Sequence, residues 1–170
     1  MEVAALNRIT DLNAIIEKAG RDDLKEILDL QHLAYQKEAS RYNDFTIPPL
    51  TQTIEEITEE YGSALFLKLV AGDTIIGSIR GRKDGNTCHV GRLMVHPAFQ
   101  GKGLGKRLIE RLESEFAADS DIVRFELFTG ELSHDNISLY KSMNYAIYKK
   151  VPYDSDKSMV YMEKFTRHSP

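Results

Sequence analysis

Tryptophan is absent from the 170 residues, cysteine occurs once, and no apolar run approaches the roughly 20 residues of a bilayer-spanning helix. A single cysteine, Cys88, cannot close an internal disulfide, and no cysteines and histidines stand at zinc-site spacing, so neither kind of cross-link is expected in the fold. That favours a reducing compartment. Met1 to Leu6 lacks the basic segment and the apolar stretch of a secretory leader, which adds to the expectation of a cytoplasmic protein that does not engage membranes. Positive charge is in deficit as well: 22 lysines and arginines against 26 acidic residues give a net charge of -4, so no global attraction to nucleic acid exists. Any bound anion must be held by a local cluster. Repeats, low-complexity tracts and a Pro/Gly/Ser-rich linker are also missing, and a chain of this length that is 42% hydrophobic is expected to bury one core as a single domain, 1–170.

What is present alternates between the two periodicities of an α/β unit. Ala14-Ile15-Ile16 reads as a first strand ending near Gly20, with a helical reading nearly as good. From Asp22, the apolar residues Leu24, Ile27, Leu28, Leu30 and Ala34 recur at helical spacing. Gln36 to Leu50, with Tyr42, Phe45 and the Pro48-Pro49 pair, reads as a structured loop. Thr53 and Glu56 have the spacing of a capping box opening a second helix that Gly62 ends. Three strands in antiparallel series are expected next, Ala64 to Val70, Thr74 to Arg80 and Thr87 to Val95, the last stopped by Pro97. Leu104, Leu108, Leu112 and Phe116 mark an amphipathic helix; Ile122 to Phe128 reads as a strand and Asn136 to Met143 as a short helix. Tyr145 to Val151 and Met159 to Phe165 close the pattern as a pair of strands.

The segment from Arg92 to Lys106 joins a strand to a helix through Gly101, Gly103 and Gly105. Glycines allow close approach of backbone to a ligand, and the free N–H groups and positive dipole end of the following helix suit a pyrophosphate, with Lys102, Lys106 and Arg107 adding local positive charge. The alternative is a tight turn with a solvated basic face. A P-loop would need Lys-Ser or Lys-Thr after its last glycine, and the dinucleotide fingerprint would need glycine where Lys106 stands, so both common nucleotide motifs fail. What remains, Gln100-x-x-Gly103-x-Gly105 after a strand ending Leu-x-Val-x-Pro, closely resembles the signature of the GNAT superfamily of acyl-CoA-dependent N-acyltransferases. Asn136, Leu139-Tyr140 and Asn144-Tyr145 resemble its second cofactor segment, with Asn144-Tyr145 in place of the usual Gly-Phe. The resemblance covers Ala64 to Phe165, with the earlier residues matching only in expected helix order.

That resemblance implies a GNAT-like α/β fold: a central mixed, mostly antiparallel sheet of about six to seven strands, about four flanking helices, and a V-shaped splay between two central strands. It implies a cofactor-binding core over 88–145 and a helical acceptor-side region over 21–63. Acetyl-CoA is the implied co-substrate, its pantetheine on the backbone of Met94 and Val95 and its pyrophosphate on Gln100, Gly101, Lys102, Gly103, Leu104, Gly105 and Lys106, with Asn136 a further contact. Leu93, by alternation, is expected in the core. Tyr140 matches the family's tyrosine acid, a phenol suited to protonating a thiolate; its alternative is simple packing of a helix face. His89 stands about where family members often place a glutamate base, with Glu126 or a water as rivals. Tyr42 and Phe45 are candidates for the acceptor pocket, though loop anchoring explains them better. No metal site is expected, because His32, His96 and His134 form no ligand pattern, and Cys88 beside His89 on a strand faces the opposite side. The expected activity is acetyl transfer to a primary amine of a small molecule or protein, by a monomer or homodimer with no nucleic-acid partner. Alternatives are a non-catalytic CoA-binding sensor, or an acyltransferase with another acyl group or acceptor nucleophile.

Overall fold

The computed structural model describes residues 13–166, so the leader reading of Met1 to Leu6 lies outside the described residues. Strand β1 (Ile15–Lys18) pairs antiparallel with β2 (Leu65–Ala71), which makes a hairpin with β3 (Thr74–Asp84). The expected Ala14-Ile16 strand is thus real, held at the sheet edge by β2. Strand β4 (Thr87–Val95) continues the antiparallel series. Beyond it lie β5 (Arg124–Gly130), β6 (Ala146–Asp154) and β7 (Lys157–Phe165), giving one seven-stranded mixed sheet in the order β1-β2-β3-β4-β5-β7-β6.

Helix α1 (Leu24–Ala34) follows a 3-10 turn, Arg21–Asp23, and buries Leu24, Ile27 and Leu28 against Phe66 and Met94 on one face of the sheet. The Gln36 to Leu50 stretch departs from the expected loop: it holds helix α2 (Gln36–Tyr42) and a single turn, α3 (Pro48–Thr51). Both fit local chemistry. Asn43 takes the left-handed conformation (φ 48°) that ends α2, and the prolines occupy the first turn of α3, where no N–H partner is needed. Helix α4 (Ile54–Tyr61) opens on the expected reciprocal cap: Thr53 Oγ1 accepts from Glu56 N–H at 3.2 Å and Glu56 accepts from Thr53 N–H at 2.8 Å. On the other face, α5 (Leu104–Ala117) buries Leu104, Leu108, Ile109 and Leu112 with Cys88, Val90 and Phe125, and α6 (His134–Ser142) adds Tyr140.

Two irregularities shape the centre of the sheet. Strands β4 and β5, the parallel pair, are joined only at Thr87–Arg124, Cys88–Phe125 and His89–Glu126, after which they part. Strand β4 also carries a bulge. Ser78 opposes Met94 and Arg80 opposes Gly91, so Arg92 and Leu93 together face Ile79, and Arg92 sits at φ 50°. Core membership shows the slip: Cys88, Val90, Leu93 and Val95 pack on the α5 face, whereas Met94 packs on the α1 face.

Candidate active site

A cavity of about 1280 Å³ opens where β4 and β5 separate, and its walls include β4 from His89 to Val95, the glycine loop, and residues of α1, α2 and α6. The size exceeds a typical small-ligand site of roughly 300–1,000 Å³, enough for two ligands side by side.

One end is built by backbone. Gly101 and Gly103 both stand at φ 76° with nothing within 4 Å of a Cβ placed on either, so the loop's outer surface is open. The first bond of α5 runs from Arg107 N–H to the Gly103 carbonyl at 3.2 Å, which leaves the Leu104, Gly105 and Lys106 amides without intrahelical acceptors. Gln100 donates from Nε2 to the Val95 carbonyl at 3.0 Å and so ties the loop to the strand. Lys102 lies over the Phe99 ring at 5.5 Å, Lys106 is 3.9 Å from Glu110, and Arg107 turns away to the Ala14 carbonyl at 2.9 Å, where it holds the first strand rather than facing the loop.

Along β4, His96 donates its N–H to the Ile76 carbonyl at 2.7 Å, and the Met94 carbonyl lies against Gly77. By strand alternation, Met94 hydrogen-bonds toward β3, while the Leu93 and Val95 main chains face the gap left by β5. Of the Met94-Val95 pair expected on the cofactor, Val95 therefore faces the cavity with its main chain, and Leu93 joins it. The Leu93 side chain packs on the core as expected, but its carbonyl is 3.5 Å from the Tyr35 hydroxyl.

Tyr140 is buried at 7% exposure, packs 6.1 Å from the Tyr145 ring and lines the cavity, and its hydroxyl has no hydrogen-bond partner among the described residues. Burial, with Tyr35 and Glu38 nearby, pushes its pKa well above the usual tyrosine range. His89 lines the same cavity at the closed end of the gap, with Nδ1 3.2 Å from Glu126 Oε1 and Nε2 3.8 Å from Asp84. Glu126 is fully engaged: Arg124 lies 2.5 Å from its carboxylate and the Tyr148 hydroxyl donates to it at 2.5 Å. Burial pulls its pKa up, but these hydrogen bonds and the Arg124 charge outweigh that and leave it below the usual carboxylate range. A carboxylate held so firmly as the anion orients His89 better than it could accept a proton. Asn136 donates to Thr129 Oγ1 at 3.3 Å across the cavity wall.

Other candidates have structural roles. Cys88 is fully buried, its pKa pushed up to about 12 by burial and the Glu113 charge. His32 sits 3.3 Å from the Gln52 carbonyl, and His96 caps the Pro97–Phe99 turn by accepting from Ala98 N–H at 3.1 Å. No group of three metal-ligating side chains converges among the described residues. Tyr42 lines the cavity and anchors α2, its hydroxyl 3.0 Å from Ser133 Oγ and accepting from Leu132 N–H at 2.9 Å, whereas Phe45 is exposed.

Sequence reasoning missed a polar group on the α1 side of the cavity. Arg80, 2% exposed, donates to Glu60 at 2.7 Å, Gln31 at 2.6 Å and Gln52 at 3.2 Å, and stacks 4.4 Å over Phe66. Burial draws its pKa down to about 10, opposed by Glu60 and reinforced by Arg92. The available signals were an arginine on the inward phase of an apolar strand and a glutamine, Gln31, on the buried stripe of α1. Tyr35, at the junction of α1 and α2, and Arg92, at the bulge, gave no such signal.

The model of the acetyltransferase (GNAT) family matches residues 22–145. An acetyltransferase of Yersinia pestis (strain Pestoides F) is 32% identical over 81 residues, which span 48% of this chain and 57% of that protein. Among solved structures, the PaiA N-acetyltransferase of Thermoplasma acidophilum in complex with coenzyme A superposes with a TM-score of 0.76 at 19% identity, covering 91% of this chain and 99% of that one. YncA of Salmonella typhimurium, solved with its cofactor acetyl-CoA, gives 0.71 at 18% identity, covering 90% and 94%.

Proposed function

Because the chain belongs to the acetyltransferase (GNAT) family, we propose that it transfers an acetyl group from acetyl-CoA to a primary amine by direct attack within a ternary complex. The observation that carries this reading is the coincidence in one cavity of three things: the Leu104, Gly105 and Lys106 amides that lack intrahelical acceptors, the edge of β4 from which β5 has parted, and the Tyr140 hydroxyl, which has no hydrogen-bond partner among the described residues.

Acetyl-CoA supplies the thioester whose carbonyl carbon the amine attacks. The chain's own residues do the rest. The Leu104, Gly105 and Lys106 amides, at the positive end of α5, hold the pyrophosphate, and open space at Gly101 and Gly103 lets it approach. Leu93 and Val95 receive the pantetheine arm along the edge vacated by β5, much as an added strand would be received. Asn136 borders the same arm from α6.

His89 takes the proton from the entering ammonium. Glu126 accepts from its Nδ1–H, which fixes the tautomer with Nε2 as the basic nitrogen. Tyr140 gives its proton to the departing thiolate, its raised pKa keeping it protonated until that moment, and the second proton shed by the new amide nitrogen restores the phenol.

The test is calorimetric titration with acetyl-CoA, with ATP and NAD as controls, on wild type and Gly103→Glu. Gly72→Glu is the matched variant, because Gly72 also has positive φ (62°) and open surroundings but lies in the β2–β3 turn. Selective acetyl-CoA binding that Gly103→Glu loses and Gly72→Glu keeps is expected. Well-folded wild type that binds no acetyl-CoA would sink the proposal.

A further inference from the structure

The α1 side of the cavity holds more positive charge than its carboxylates neutralise. Glu60 is bound to Arg80 at 2.7 Å, and Glu38 is bound to Arg41 and to Ser133 Oγ, the latter at 2.6 Å. Asp135 lies 3.5 Å from Lys37. Arg92 has no hydrogen bond or ion pair among the described residues, and its Nε is buried without an acceptor, as is the Nε of Arg80. Arg82, on the same phase of β3 as Arg80, also lines the cavity.

A guanidinium placed beside another in a half-enclosed cavity is costly unless an anion joins them. The backbone supports the same reading. A non-glycine residue at φ 50° is strained, and such strain persists where surrounding structure fixes a side chain for use. The bulge is the device that turns Arg92 toward Arg80 and Tyr35, since regular alternation from Cys88 and Val90 would send it into the α5 core.

We propose that the amine acceptor carries an oxyanion group, carboxylate or phosphate, that docks on the Arg92 guanidinium with Arg80 behind it and Arg82 at the rim. This rests on the acetyltransferase reading, naming the acceptor class of that same site. It disfavours polycationic amines, which would bring further positive charge to three arginines.

The experiment titrates CoA-saturated protein with matched amines: β-alanine against ethylamine, phosphoethanolamine against ethanolamine, and spermidine as the polycation. A charge-assisted, forked contact predicts that at least one anionic member binds about tenfold or more tighter than its neutral-tailed partner. Preference confined to the first pair identifies a carboxylate, and preference confined to the second a phosphate. Arg92→Gln should erase the preference and Arg92→Lys keep part of it, with acetyl-CoA affinity unchanged in both variants, which also reports that they fold. No preference in either pair, whether through equal binding or none, or tightest binding of spermidine, overturns the proposal. Loss of acetyl-CoA binding by wild type would instead remove the acetyltransferase reading beneath it.

Discussion

Tyr140 and His89 were nominated by residue type and by the resemblance of the segments that hold them, and both line the cavity from regular stretches of α6 and β4. The hydroxyl of Tyr140 is the one whose removal is most diagnostic. Tyr140→Phe keeps the ring that packs against Tyr145 and removes only the hydroxyl proposed as proton donor, so turnover should fall about 10²–10⁴-fold while acetyl-CoA affinity measured by calorimetry stays the same. Unchanged turnover would return Tyr140 to a packing role. Arg92 and Tyr35 were not legible. Arg92 lies at a bulge, where alternation of faces fails, and Tyr35 at a junction between helices, where neither flanking period applies. Glu126 was nominated as a rival base, but its partners on β6 and at Arg124 come from pairings that a single sequence does not reveal.

The elements themselves were mostly visible. Strand β4 and the capping box of α4 stand where pattern placed them, and β3 runs on to Asp84 past the expected Arg80 because pairing with β4 continues through Asp84–Thr87. The α2–α3 segment was read as loop because its prolines were weighed against helix without regard to position in the first turn. What fixes α2 is a long-range contact. The Tyr42 ring crosses Gly130 at the end of β5, where a Cβ would lie 2.0 Å from the Tyr42 hydroxyl. Gly130→Ala should therefore displace Tyr42 and its bonds to Leu132 and Ser133, costing roughly 1–3 kcal/mol of unfolding free energy, read as a lower urea midpoint without a change in slope. Combining it with Tyr42→Ala should cost less than the sum of the single changes; strict additivity would show that the two positions do not meet.

Across the whole molecule, opposite charges are paired in a way that brackets stability at both ends of the pH scale. Asp23 is raised by burial but pulled net below the usual carboxylate range by Lys68 and the Gly20 amide, while the hydrogen bond to Asp23 holds Lys68 above the usual lysine range. Lys83 and Asp119 are shifted in the same sense by their mutual bond. The depressed carboxylates stabilise the fold above their unfolded pKa of about 4 and lose that contribution as pH falls through their folded values. The raised lysines stabilise it below about 10.4 and lose that as pH rises through their folded values. Unfolding midpoints should decline below about pH 4 and above about pH 10 on account of these pairs, and insensitivity of both flanks to Lys68→Met and Lys83→Met would show that the pairs contribute nothing. The bulge in β4 has a reach of the same scale. Its extra residue sets the two ends of one strand half a period out of phase, so the chain reads one register before Gly91 and the other after Arg92. Flattening the bulge with every residue kept would impose ordinary alternation from Cys88 and Val90 and exchange inside for outside over everything downstream in the strand: Met94 would enter the α5 core, and Leu93 and Val95 would leave it. The strand behaves like a sentence with one deliberate extra syllable, whose metre on either side depends on the pause that absorbs it.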